Sequence, residues 1–161
     1  MPQPVWRKIV SEMQIPQVQG TPWTVVLEYL TPGKLMKIEV VIDNNRNPPV
    51  TGTWTPQDYP TACPADGDFT GAARGNNPEH GTPLVSSAPV GALIGRIGGS
   101  TADQNFDTGT NPARIGFAVG RMCIFTVPAT PTGALFLGIN DAPARMVGVQ
   151  GWLLVNVYEG L

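Results

Sequence analysis

The sequence predicts an all-β chain of the sandwich or jelly-roll type, on three observations. Breakers are dense: 19 glycines and 17 prolines are scattered through 161 residues. Proline removes a helical donor and clashes with the turn before it, so long helices have no room. Between the breakers lie short runs rich in β-branched and aromatic residues, separated by turn residues. The clearest run, Leu35 to Ile42, sets polar Lys37 and Glu39 two positions apart. That is the period of a strand with one exposed face.

Val5 to Val10 is the first expected strand, and Trp23 to Tyr29 the second. The turn Thr31-Pro32-Gly33-Lys34 joins the second to Leu35–Ile42, because proline presets a turn φ and glycine tolerates the left-handed one. The remaining expected strands are Ala92–Ile97, Ile115–Val119, Met122–Val127, Ala134–Ile139 and Trp152–Tyr158. Short strands with turn signals between them fit one sandwich. Two polar stretches, about 43–87 and 98–112, interrupt the pattern as long loops. A loop as long as the first is expected to be functional or an assembly arm. The chain 1–161 is expected to form a single domain carrying that insert.

Charged residues make up 14% of the chain and the net charge is −2, against a usual charged share of about 25%. Such a surface suits loop-rich β-proteins and chains that bury surface in an assembly. No basic run offers a footprint for nucleic acid. No apolar stretch reaches the ~18 residues of a membrane span. Met1 to Lys8 lacks the charged-then-apolar pattern of a cleaved signal. The expected address is the cytoplasm, or export without a cleaved signal, unless a signal has already been removed. Cys63 and Cys123 are either a disulfide closing a long loop or two thiols packed as small hydrophobes. No CxxC pair suggests zinc or redox chemistry.

Five stretches resemble one family, in the same order along the chain. Pro89-Val90-Gly91-Ala92-Leu93-Ile94-Gly95-Arg96-Ile97-Gly98 resembles the Gly-Ala-Leu-x-x-Lys/Arg-Ile-Gly strand of PA-I-type galactophilic lectins and related galactose-binding-like modules. Val5-Trp6-Arg7 resembles that family's opening strand, and Thr31 to Ile38 its Pro-Gly-Asp strand. Cys63 to Asp68 resembles its Gly-Pro-x-Gly-Asp turn, and Gly133 to Asp141 its penultimate strand ending in Asn-Asp. The resemblance implies a galactose-binding-like jelly-roll β-sandwich, with long loop insertions, that holds a galactose-type sugar through calcium. The implied ligands are an Asp after the penultimate strand, a Thr, an Asn pair before the last strand and an early-loop carbonyl. Sugar hydroxyls complete the roughly six to eight hard oxygens that calcium takes. Carried over, the Asp is Asp141, the Thr position holds Arg145, and the Asn pair falls on Gly148 and Val149. Asp141 is therefore the single metal-ligating candidate, and the calcium site is expected to be lost in its usual form.

The candidate ligand contacts are Trp54, Tyr59, His80 and Asp141. Trp54 and Tyr59 are aromatics in a polar loop, where a flat ring either stacks on a sugar or pins the loop to the sandwich. His80 is the single histidine, either a sugar contact or a solvated loop residue. Asn140-Asp141-Ala142-Pro143 reads as a turn or as a residual ligand corner. Trp6, Trp23 and Trp152 lie in strand-like runs and are expected in the core. Gly91, Gly95 and Gly98 lie in a strand-like run, where close sheet packing or bulges account for them better than a phosphate cradle.

The expected function is a non-catalytic, lectin-like module that binds carbohydrate or another protein surface and forms a homo-oligomer. The alternative is a structural or assembly subunit, such as a capsid decoration or fibre protein, favoured by the low charge and proline-rich ends. An enzyme ranks third. His80 has no nucleophile and orienting partner by spacing, no Gly-x-Ser-x-Gly is present, and nothing fixes a carboxylate pair among Asp58, Asp66, Asp68 and Glu79.

Overall fold

A computed structural model describes residues 2–57, 61–67, 83–85, 87–99 and 114–161. The strands are β1 (Trp6–Ile15), β2 (Thr24–Leu30), β3 (Leu35–Val40), β4 (Thr53–Trp54), β5 (Cys63–Pro64), β6 (Leu93–Gly98), β7 (Arg114–Ala118), β8 (Met122–Thr126), β9 (Gly133–Ile139) and β10 (Leu153–Gly160). Each of the expected runs carries a strand, and β4 and β5 add a short pair inside the insert. A 3-10 helix, Pro143–Gly148, precedes β10. Proline sits at its start, where the missing N–H costs nothing.

The chain is all-β. One sheet runs β1-β10-β3-β8 and a second runs β2-β9-β6-β7. Their pairings are all antiparallel: β1 with β10, β2 with β9, β3 with β8 and β6 with β7, with β10–β3 and β6–β9 joining them. The buried side chains of both sheets form one hydrophobic cluster, so the arrangement is sandwich-like.

The first sheet follows the period of two that its sequence carries. In β3, Met36, Ile38 and Val40 are buried while Leu35, Lys37 and Glu39 are part-exposed. In β10, Leu153, Val155 and Val157 are fully buried. The register sets Val155 against Val40 and Val157 against Ile38, so the two inward rows meet. Each such side chain stabilises the fold by about 1.5–3 kcal/mol relative to exposure. On the outer face Lys37 lies over the rings of Trp6 and Tyr158, at 5.0 and 4.3 Å from the centroids.

The second sheet is covered on both faces only at its centre. All six residues of β6 are buried. Gly95 is glycine because the Phe117 ring lies on it; an added Cβ would stand 2.6 Å from Phe117 Cζ. That ring packs on Phe125 at 5.2 Å, bridging the two sheets. Arg96 is 1% exposed. It lies between Trp23 and Phe136, 4.7 and 4.4 Å from the ring centroids, and its Nε donates to the Gly98 carbonyl at 3.1 Å. Aromatic faces offer a desolvated guanidinium the partial negative charge that water would otherwise supply.

β1 continues past the expected Val10 to Ile15 because two irregularities absorb its polar middle. The register shifts between Lys8 and Val10 and again between Val10 and Met13. Within the second shift Glu12 takes φ of 52°, a left-handed conformation that costs a non-glycine residue about 1–3 kcal/mol. Its N–H donates to Asn156 Oδ1 at 2.8 Å, which holds it there.

The structure resolves the cysteine alternatives. Neither Cys63 nor Cys123 is in a disulfide; Cys63 is buried and Cys123, on β8, is half-buried. Burial pushes the Cys123 thiol above its ordinary pKa, because desolvation disfavours the thiolate. A colorimetric titration of unreduced, denatured protein is therefore expected to find both thiols. In the native state Cys123 should react more slowly at neutral pH than a small free thiol. A denatured sample without titratable thiol would contradict this.

Candidate functional site

Two places on the fold bear on ligand binding: the corner after β9, and a groove beside the start of β10.

The corner is built by Asn140 and Asp141, both buried. Asn140 works as a clamp. Its Oδ1 accepts from the Val85 N–H at 2.9 Å, and its Nδ2 donates to the carbonyls of Val85, Ala88 and Pro89 at 2.9, 2.9 and 3.1 Å. Asp141 accepts from the Ala142 N–H at 2.8 Å, the self-bonding turn expected of Asp before Ala-Pro. The Arg145 Nε lies 3.2 and 3.3 Å from the two Asp141 carboxylate oxygens. Arg145 also donates through Nη2 to the Gln57 carbonyl at 2.5 Å. The segment before Gln57 is tied to the same corner, since Thr55 and Gln150 exchange backbone hydrogen bonds at 2.8 Å.

This corner does not fit a calcium ion. The Arg145 guanidinium supplies the positive charge beside Asp141, and the side chains are 8% and 2% exposed. Gly148 and Val149 bring no side-chain oxygen. Gly148 is filled against Gln57, where a Cβ would lie 2.4 Å from Gln57 Cγ. Among the described residues no three His, Cys, Asp or Glu side chains gather as a metal site. Asp141, expected as a ligand contact, is thus 1% exposed and faces an internal cation.

Trp54 is corrected in the same way. It is 1% exposed, pairs with Cys63 across β4 and β5, and donates from Nε1 to the Gly91 carbonyl at 2.6 Å. Its ring pins the insert to the sandwich and presents no face to a ligand. Tyr59 and His80 lie outside the described residues. Trp54 and Asp141 do come near one another through the backbone, because Gly91 N donates to the Asn140 carbonyl at 2.7 Å. They meet as structure, with both side chains enclosed.

The groove was not expected from the sequence. It measures about 420 Å³, is open to solvent, and is lined by Arg46, Asn47, Pro48, Pro49, Val50, Thr51, Gly52, Thr53, Gly151, Trp152 and Leu154. Trp152 is 52% exposed, where the core was expected to hold it. The alternation of β10 explains this. Leu153, Val155 and Val157 point inward, so Trp152 leaves on the other face.

The opposite wall is the loop from Asp43 to Thr53. Asp43 Oδ1 accepts from Asn45 N at 3.0 Å, which starts a tight turn. Asp43 and Val50 close it with reciprocal backbone bonds of 2.8 and 2.9 Å. Arg46 fastens the loop to β1 by an ion pair with Glu12, and its Nε lies 3.1 Å from Asp43 Oδ2. These acids raise the Arg46 pKa, chiefly through the hydrogen bond to Glu12. The strained Glu12 backbone therefore serves to aim the carboxylate that anchors the groove wall. Thr51 and Thr53 share a hydroxyl hydrogen bond of 2.8 Å at the rim.

No protein-family model matches the chain, and no curated protein matches it. Among the described residues, no helix is long and apolar enough to cross a membrane.

Proposed function

We propose that the chain is a non-catalytic, lectin-like carbohydrate-binding module on a galactose-binding-like jelly roll, and that its sugar docks on Trp152. The strand pairing supports the jelly-roll reading. With the short β4–β5 pair set aside, the first long strand pairs with the last, the second with the one before it, the third with β8 and β6 with β7. A rolled-up ribbon of antiparallel strands gives that order.

The observation that carries the binding reading is the exposed Trp152 ring in a mostly apolar groove whose lining also holds the polar side chains of Asn47, Thr51 and Thr53. The apolar C–H face of a hexose stacks on an indole, while Asn47, Thr51 and Thr53 offer donors and acceptors to its hydroxyls. The resemblance to PA-I-type lectins supplies the ligand class, a galactoside. Its calcium has no part in this reading, because the Asp141 corner is filled by Arg145.

Glycan-array screening of the full chain tests this, followed by calorimetry on the best ligand with calcium and with chelator. The expected result is binding to galactosides that chelator leaves unchanged. Trp152→Ala is expected to weaken binding by about tenfold or more, with little change in melting temperature, since a stacking ring contributes ~0.5–1.5 kcal/mol beyond its area. Absence of binding to any glycan would overturn the proposal, as would full affinity in Trp152→Ala.

A further inference from the structure

The sheet edges of this fold differ in how they are guarded. An edge strand offers unpaired N–H and C=O groups to another strand, and proteins blunt such edges with charges, prolines and bulges. β1, one edge of the first sheet, has two register shifts and is flanked by Pro4 and Pro16. β2, an edge of the second sheet, is broken between Val25 and Leu27 and again between Leu27 and Leu30. β8 is flanked by Arg121 and Pro128 but has no such device within the strand. Met122-Cys123-Ile124-Phe125-Thr126 carries no charge and no proline, and its register with β3 is unbroken from Leu35↔Thr126 to Glu39↔Met122.

The hydrogen-bond parity of β8 shows which groups are open. Val127 N donates to the Lys34 carbonyl at 2.8 Å, and Val40 N to the Arg121 carbonyl at 2.9 Å. Antiparallel pairs alternate between bonded and non-bonded, so Phe125 and Cys123 also bond to β3. Met122, Ile124 and Thr126 then aim their N–H and C=O away from β3, and among the described residues β8 pairs with no other strand. Their side chains face solvent: Met122 is 56% and Ile124 50% exposed.

We infer that β8 is a strand-addition site for a second copy of this chain, antiparallel, with the two-fold axis at Ile124. The pattern is self-complementary. About that axis Ile124 meets Ile124 and Met122 meets Thr126, each exchanging both backbone hydrogen bonds, and the two β1-β10-β3-β8 sheets become one. The side-chain rows of β8 are uncharged, so no like charges stand face to face. Arg121, at one end, falls opposite Val127 and is drawn to Asp66, 3.5 Å away. Lys37, the β3 neighbour of Ile124, is turned toward Trp6 and Tyr158 and lies 3.9 Å from Glu39. An isologous contact of this kind closes as a dimer. The bulged β1 edge at the far side of the sheet does not extend it into a filament. The inference is independent of the sugar site, since Trp152 is not part of β8.

The test is amide hydrogen exchange read residue by residue, with sedimentation of the same samples. No acceptor among the described residues meets the Met122, Ile124 and Thr126 amides, so an isolated chain is expected to exchange them near the intrinsic rate. The expected result is a species of twice the chain mass in which these amides are slowed by ~100-fold or more, with protection falling on dilution. Ile124→Lys sets two ammonium groups against each other at the axis and is expected to give folded monomers whose melting temperature matches that of the native chain diluted to monomer. The exchange measurement on the native chain stands if that variant fails to fold. A monomer at ~1 mM, or a dimer whose Met122, Ile124 and Thr126 amides exchange at the intrinsic rate, would overturn the inference. So would pairing of β8 with a different protein while the pure chain stays monomeric.

Discussion

Asn140→Ala is expected to destabilise the protein by roughly 3 to 5 kcal/mol, among the larger effects a single residue produces. Asn140 is fully buried and satisfies Val85 twice, as acceptor and donor, along with the Ala88 and Pro89 carbonyls. Truncation leaves one buried N–H, two buried carbonyls and the half-buried Pro89 carbonyl to find other partners. The segment they hold is the approach to β6, which lies at the centre of the second sheet. Asn140→Asp is expected to cost nearly as much, because a carboxylate accepts from Val85 N but donates to none of the carbonyls. Urea unfolding of the variants checks this, and a loss under ~1 kcal/mol would mean the clamp is dispensable.

Asp141→Ala is expected to cost roughly 3 to 5 kcal/mol, because it strands the buried Arg145 guanidinium. Arg145→Met should also destabilise, since it leaves a carboxylate at a site 1% exposed. The pair is what matters. Asp141→Asn combined with Arg145→Met removes both charges, keeps an acceptor for Ala142 N and fills similar volume. That double variant is expected to lose less than Asp141→Asn and Arg145→Met summed, with a coupling of at least ~1 kcal/mol in the double-mutant cycle built from those three proteins. Additive losses would show that the ion pair does not organise the corner. Calcium is expected to leave the melting temperature of the native chain unchanged, because the cation beside Asp141 is part of the chain.

The strand runs were legible because their signal is local. Lys37 and Glu39 alternate with Met36, Ile38 and Val40, and no tertiary information is needed to see it. β4 and β5 were not legible, since a two-residue pair has no period and Trp54 reads equally as a loop aromatic. The fate of Trp54 depends on a distant carbonyl, that of Gly91, which spacing does not reveal. Asp141 stands out in the sequence, yet its partner decides its role, and Arg145 reads equally as a solvated residue. Trp152 is different. Its outward direction was implicit in Leu153, Val155 and Val157, because the residue before an inward one points outward. Only its place at the end of an apolar run disguised it. The Asp43–Thr53 wall opposite depends on the Arg46–Glu12 ion pair, which joins residues far apart in the chain and left no mark in the local pattern.

The central claim is that a sugar is received at Trp152 and not at the Asp141 corner. Titrating methyl galactoside into isotope-labelled protein, with chelator present, reads both places at once through the indole and backbone N–H signals. The account predicts a shift of the Trp152 indole together with the Asn47 and Thr51–Thr53 amides, while Trp54 and the amides around Asp141 stay still. Shifts centred on Ala142 and Arg145 that appear only when calcium is restored, with Trp152 unmoved, would contradict it.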